Sequence, residues 1–231
     1  PVKGKVEEIS QCSECEKENI RLFEKQLNME SDVKSKLSDT YEVFSRDSIV
    51  SSKLASKSLH DYEIQVDIDE KAMNFVKRLE REYAKGTVGN AIITGPSGVG
   101  KSHLAYGIIK EVSNRTKKHA MFIKLPELLA KIRNDFGNEE QTEQKWIARL
   151  SKVPFLVLDD LGQEKISDWS KSILFSILDN RNCTIITSNL ESSADIESVY
   201  NQAIMDRACK GVDKDHGFKF DGMSSMRRKH F

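Results

Sequence analysis

Ala91-Ile92-Ile93-Thr94-Gly95-Pro96-Ser97-Gly98-Val99-Gly100-Lys101-Ser102 is the stretch that decides the fold. A short apolar run leads into a loop that fits G-x-x-x-x-G-K-[ST] at every fixed position. Behind it, Leu104, Ala105, Ile108, Ile109 and Val112 recur at helical spacing over Ser102–Ser113. Glycines let such a loop curl so that its N–H groups converge on phosphate oxygens. The N-terminus of the following helix adds a positive dipole at the same point. In that setting Lys101 can reach the β- and γ-phosphates of a nucleotide, and the Ser102 hydroxyl can bind Mg2+. The competing reading is a glycine-rich turn without a ligand, which has no use for strand, loop, Lys-Ser and helix in one register. The phosphate-binding set is Gly95, Pro96, Ser97, Gly98, Val99, Gly100, Lys101 and Ser102, extended by His103.

Downstream, strands alternate with helices. Ala120–Leu125 reads as a strand, and Pro126 suits the first turn of a helix running to about Phe136. A polar helix follows with Trp146, Ile147 and Leu150 as its buried face; Trp169–Leu178 is another helix. Phe155–Leu158 is a continuous apolar run, as for a strand buried on both faces, and Thr184–Thr187 is a β-branched strand. This alternation predicts an α/β fold with a mostly parallel sheet. Asp159 and Asp160 follow the apolar run, where the carboxyl end of a parallel strand faces the ligand crevice. There Asp159 can hold Mg2+, mostly through water, and Asp160 can orient or deprotonate an attacking water. A solvated strand end is the bland alternative for an isolated Asp pair. Asn189 ends the next strand and can hydrogen-bond the water or the γ-phosphate, although Asn also ends strands for turn reasons.

Upstream, residues 1–44 are charged and lack Gly after Gly4. Ile20, Phe23, Leu27, Leu37, Tyr41 and Phe44 fall on one helical face, interrupted by Glu30 and Lys34. They fit either a helix packed on its own domain or a helical segment that grips a partner. Residues 45–58, rich in Ser and Lys, read as a linker. The α/β pattern occupies residues 59–231. Lys+Arg and Asp+Glu both number 36, so global charge gives no argument for tight non-specific binding to nucleic acid. No apolar run approaches the roughly 18–20 residues of a bilayer span, and no signal sequence opens the chain, so cytoplasmic location is the default. The chain opens on Pro1 and not Met, which reads as a trimmed N-terminus. Cys183 and Cys209 read as small buried residues. Cys12 and Cys15 form a C-x-x-C pair, half of a zinc signature, with no other Cys or His before His60.

Taken in order, these motifs resemble an AAA+ ATPase. Gly100-Lys101-Ser102-His103-Leu104-Ala105 resembles the phosphate loop of the DnaA, DnaC, DnaI and IstB group. Asp159-Asp160-Leu161-Gly162 with Glu164 resembles the magnesium strand of DnaC/DnaI helicase loaders, and Thr187-Ser188-Asn189-Leu190 their sensor I segment. Ile204-Met205-Asp206-Arg207 resembles the segment bearing their arginine finger, and Gly222 through Arg228 their sensor II end. His60-Asp61-Tyr62-Glu63 resembles the aromatic stretch that opens their ATPase domain, which adds Tyr62 to the nucleotide-binding candidates. The resemblance spans residues 59–231 and implies a central parallel sheet with a reduced C-terminal lid, preceded by a small helical N-terminal segment. Many of these ATPases carry Glu where Asp160 stands; Glu164 lies just beyond, at a position that reads as surface.

The resemblance implies that Arg207 reaches the γ-phosphate of a neighbouring subunit and that Arg227, with Arg228 adjacent, contacts phosphates in cis. It implies ATP or ADP with Mg2+, self-association through ATPase interfaces, and loading of a DnaB-type replicative helicase onto single-stranded DNA, with residues 1–44 binding the helicase. Lys131 and Arg133 are plausible DNA contacts on a face that also suits plain solvation. DnaI-like loaders carry a zinc-binding N-terminal domain, which implies that Cys12 and Cys15 are part of a zinc site completed by ligands upstream of Pro1. The short size and divergent wording point to a bacteriophage or mobile-element version acting in a bacterial cytoplasm. The rivals are an IstB-type transposition ATPase and a nucleotide-gated inhibitor of a host loader; a small-molecule kinase, which has no need of Arg207 in trans, is more remote.

Overall fold

A computed structural model describes residues 48–134, 142–190, 192–213 and 215–223, together with Glu18 and Arg21. The chain divides into two compact units, Pro1–Asp39 and Thr40–Phe231. The expected segment 1–44, with Cys12 and Cys15, lies outside the described residues apart from Glu18 and Arg21, which are helical and exposed. No helix among the described residues is long and apolar enough to cross a membrane.

The second unit is built on a five-stranded sheet of β1 (Ala91–Thr94), β2 (Ala120–Lys124), β3 (Phe155–Leu161), β4 (Thr184–Ser188) and β5 (Gly217–Lys219). The order is β2-β3-β4-β1-β5 and every pairing is parallel. The first four strands are fully or almost fully buried, which matches their unbroken apolar runs. Alternate side chains feed two cores. Ile92, Ile123, Leu156, Leu158 and Ile186 pack against α4 (Leu125–Asn134), α5 (Glu143–Lys152), α6 (Asp168–Asp179) and α8 (Gln202–Ala208). Ile93, Phe122, Val157 and Ile185 pack against α2 (Asp67–Lys85) and α3 (Lys101–Thr116).

Helix α2 shows how local sequence makes an element. Asp67, Asp69 and Glu70 sit in its first turn, where the positive end of the dipole favours them. The Asp69 carboxylate accepts the backbone N–H groups of Gln65 and Val66. Ala72, Phe75, Val76, Leu79 and Tyr83 form its buried stripe. Gly86, at φ 92°, ends it in the left-handed conformation that glycine adopts without penalty.

One expectation needs correcting. The described part of the span 45–58 is docked chain. Ile49 bridges to Ile123 on β2, its N–H donating to the Phe122 carbonyl at 2.8 Å. The short helix α1 (Ser52–Ala55) follows, capped by Ser51, and Tyr106 donates to the Ala55 carbonyl. Ile49 thus covers the outer edge of β2, a pairing that a polar composition does not advertise. After β4, α7 (Ser193–Val199) and α8 place Ile196, Tyr200, Ile204 and Ala208 in the core, and the chain then returns to the sheet as β5. Among the described residues the segment after β4 is packed structure with no separate helical domain, in keeping with the reduced lid that the sequence implies.

Candidate nucleotide site

The carboxyl ends of β1, β3 and β4 converge where the phosphate loop turns into α3. Gly95, Gly98 and Gly100 have φ of 139°, 86° and 97°. At two of them a side chain is excluded by contact as well. A Cβ on Gly95 would lie 2.6 Å from the Phe220 Cβ, and one on Gly100 would lie 2.6 Å from the Tyr62 ring. Val99 is buried and anchors the loop, whereas Pro96 and Gly98 are half-exposed and Ser97 is exposed. Helix α3 begins at Lys101 without a side-chain cap, and the positive end of its dipole faces the loop. Lys101 is buried, and its Nζ donates at 2.7 Å to the carbonyls of Gly95 and Pro96 and to Asn189 Oδ1. Those bonds join the phosphate loop to the end of β4.

Asp159 lies at the centre. It is 3 % exposed, accepts the Thr187 hydroxyl at 2.6 Å, and is hydrogen-bonded by the Ser102 side chain. Burial, and after it the charge of Asp160, pushes its carboxyl up to about 6, against the pull of Thr187 and Ser102. Thr187 also accepts the Asp160 N–H at 3.1 Å. Two adjacent carboxylates and a hydroxyl make an all-oxygen donor set, and a divalent cation would offset the cost of burying Asp159. The residues present therefore fit Mg2+, with Asp159 and Ser102 to hold it.

Asp160 stands where the β3–β4 register shifts between Leu158 and Leu161, and its φ is 62°. The bulge turns the second carboxylate away from the ladder and leaves it partly exposed, 3.9 Å from the Lys124 ammonium. Glu164, expected at the surface, is buried. It accepts the Gly162 N–H and the Tyr200 hydroxyl. That carboxylate is occupied in fixing the turn after β3; burial, and after it the Glu164 carboxylate, pushes the Tyr200 phenol up.

Tyr62 covers the other side of the loop. Its hydroxyl donates to Asp69 at 2.9 Å, its ring packs edge-on to His103, and burial raises its phenol. His103 Nε2 lies 2.6 Å from the Ser58 carbonyl and so donates to it. Arg207, on α8, donates from Nε to Asp179 at 2.6 Å and from Nη1 to Ala203, with its guanidinium 3.9 Å from the centre of the Phe175 ring. Lys131 and Arg133 are exposed on α4, and Arg133 lies over the Trp169 ring. Arg227 and Arg228 lie outside the described residues, as do Cys12 and Cys15. Cys183 and Cys209 are half-buried free thiols, less enclosed than expected. Sequence reading missed Thr187 as the bridge between the two aspartates; its place two residues before Asn189 on the same strand was the available signal.

A central parallel sheet, a strand–loop–helix phosphate cradle and paired carboxylates on an adjacent strand define the nucleotide-binding architecture of the AAA+ class. Within it, the chain belongs to the IstB-like ATP-binding protein family, whose profile matches residues 9–230. It is similar to the replicative helicase loader DnaC of Escherichia coli strain K12, with 25 % identity over 153 residues, 65 % of this chain and 62 % of DnaC. A protein of Sinorhizobium fredii named for insertion-sequence ATP binding, y4pL, is 33 % identical over 147 residues, 61 % of this chain and 58 % of that one. The chain thus spans less than two thirds of the length of these relatives. A crystal structure of DnaI superposes with a TM-score of 0.61 at 26 % identity, covering 74 % of this chain and 95 % of that one. The resemblance to DnaC and DnaI drawn from the motifs is borne out.

Proposed function

We propose that this protein hydrolyses Mg-ATP in assemblies of itself and delivers a DnaB-type replicative helicase to single-stranded DNA in a bacterial cytoplasm. The observation that carries the ATPase part is the convergence of Lys101, Ser102, Asp159, Thr187 and Asn189 on one point at the ends of three strands. The loader part is supported by the likeness to DnaC and DnaI over the ATPase domain, with residues 1–44 as the helicase-binding segment. Lys101 exchanges its carbonyl partners for phosphate oxygens and neutralises charge as it develops on the transferred group. Mg2+, when bound, supplies Lewis-acid charge at the phosphates. Asp160 orients the attacking water and accepts its proton, while Asn189 fixes the water or the γ-phosphate from the neighbouring strand end. Arg207 of a neighbouring copy completes the charge compensation, and Arg227 contacts phosphates within its own chain.

A transposition ATPase is the second reading, favoured by the likeness to y4pL. Pull-down of a DnaB-type helicase and of a transposase, each with and without ATP, separates the two. Nucleotide-dependent capture of the helicase alone is the expected result; capture of the transposase alone would replace the loader reading. Lys101→Ala should lose ATP binding or turnover, and unchanged affinity and turnover in that variant would remove the phosphate-loop assignment.

A further inference from the structure

Helix α2 and the edge strand β5 enclose a groove of about 460 Å3 on the second unit. Lys71, Lys77, Arg78 and Arg81 line it from the helix, Gly217 and Phe218 from the strand, and no carboxylate is in the lining. These cations follow from the helix period, since they stand on the side of α2 away from its buried stripe. Lys71, Lys77 and Arg81 are exposed, and the two lysine ammonium groups have no carboxylate partner among the described residues. Arg81 spends only its Nε, on the Lys77 carbonyl. Arg78 bonds the Asp215 carbonyl and lies 3.4 Å from its carboxylate at the groove's border, yet its buried Nε has no hydrogen-bond partner. Lys219 beside the groove is paired with Asp221. In a chain of zero net charge, this concentration of cations, of which only Arg78 has a carboxylate partner at the border, fits a polyanion.

The aromatic floor narrows the choice. Phe218 is half-exposed, with its ring 5.4 Å from that of Phe75 beneath it. A Cβ placed on Gly217 would meet nothing closer than the Asp213 carbonyl at 3.8 Å, so the strand edge beside the ring is open to close approach. An acidic protein segment has use for the cations but not for a ring face, and duplex DNA keeps its bases stacked inside. Single strands combine a charged backbone with bases free to stack. We propose that the α2–β5 groove binds single-stranded nucleic acid, its phosphates on Lys71, Lys77, Arg78 and Arg81 and a base on Phe218. This rests on the loader reading for the kind of partner and adds where that partner lies, on a helix other than the one bearing Lys131 and Arg133.

The test is fluorescence anisotropy of a labelled oligothymidylate with the full chain over a salt series. The K71A/K77A/R81A variant changes exposed residues only and should bind about tenfold or more weakly, its log–log salt slope shallower by about 2. F218L keeps an apolar floor and removes the π-face; it should weaken binding by about fivefold or more without changing the slope. K131A/R133A should bind as the parent does. Unchanged affinity and slope in the triple variant, or a loss confined to K131A/R133A, would overturn the groove and leave the loader reading standing. Polyglutamate competing better than oligothymidylate, with F218L neutral, would overturn it in favour of an acidic protein partner. Failure of the parent chain to bind oligothymidylate would overturn groove and loader reading together, whereas loss of helicase capture with groove binding intact would remove only the loader reading.

Discussion

Asp160 joins a backbone demand to a chemical one. Its φ of 62° lies in the left-handed region, where most side chains pay about 1–2 kcal/mol and Asp and Asn are the best tolerated after glycine. That accounts for the shorter carboxylate at a position where Glu gives more reach, since a Glu there would strain the bulge that aims it. Two variants separate the demands. Asp160→Gly removes the carboxylate and relieves the backbone, so it should melt no lower than the parent, with a gain of up to about 1 kcal/mol, while losing nearly all turnover. Asp160→Asn keeps the tolerated conformation and should bind ATP but hydrolyse it at least tenfold more slowly. Thermal melting and steady-state phosphate release read both. Parental turnover in either variant would take the water-orienting role away from Asp160, and Glu164, held by Gly162 and Tyr200, is not placed to take it over.

At the scale of elements, what was legible depended on whether the signal was local. Strands β1, β3 and β4 were readable because burial on both faces demands unbroken apolar runs, and the phosphate loop because its glycines and Lys-Ser are fixed by the ligand. Helix α2 was passed over, since its stripe of Ala72, Phe75, Val76, Leu79 and Tyr83 is diluted by charges that prove to line a groove. Strand β5 is three residues long and carries no period, and Glu164 owes its burial to a tyrosine far along the chain. Arg181 was invisible for the same reason. Its guanidinium is buried and donates to the carbonyls of Leu150, Val153 and Cys183 and to Thr184 Oγ1, tying the end of α5 to β4. Arg181→Met should therefore destabilise the domain by about 3 kcal/mol, because several buried carbonyls lose their donor at once. Cys183 offers a readout. Burial pushes its thiol up from 9.0 to about 11, so the folded state holds that proton more tightly than the unfolded chain. This contribution to stability is complete below pH 9 and is lost as pH rises towards 11. Alkylation of Cys183 near pH 8 should be slow in the native parent, fast in urea, and intermediate in Arg181→Met. Equal rates in parent and variant would show that Arg181 does not hold this corner closed.

For the whole molecule the question is whether one chain contains a complete active site. Lys101, Ser102, Asp159, Asp160 and Asn189 converge, but the Arg207 guanidinium contacts Asp179, Ala203 and Phe175 and not that cluster. An arginine that serves a neighbour's phosphates has this requirement, since it must not be committed to its own. Its pair with Asp179 is partly exposed and so worth about 1 kcal/mol or less, little enough for a neighbour's phosphates to outbid. The same figure means that Arg207→Ala should stay folded, which circular dichroism and melting would establish first. Activity per chain should rise with protein concentration, because assembly completes the site. Arg207→Ala should bind ATP as the parent does and hydrolyse it at least a hundredfold more slowly, in keeping with the weight of a trans arginine in phosphoryl transfer. Mixing decides the matter. Lys101→Ala chains hold no ATP but offer an intact Arg207; Arg207→Ala chains hold ATP and offer none. Two inactive preparations that associate should together recover a fraction of the parent's turnover, set by how often an ATP-bearing chain meets an intact finger. A mixture that associates and stays inactive, or Arg207→Ala that is fully active alone, would return Arg207 to a structural role on α8 and leave the active site to be completed within one chain.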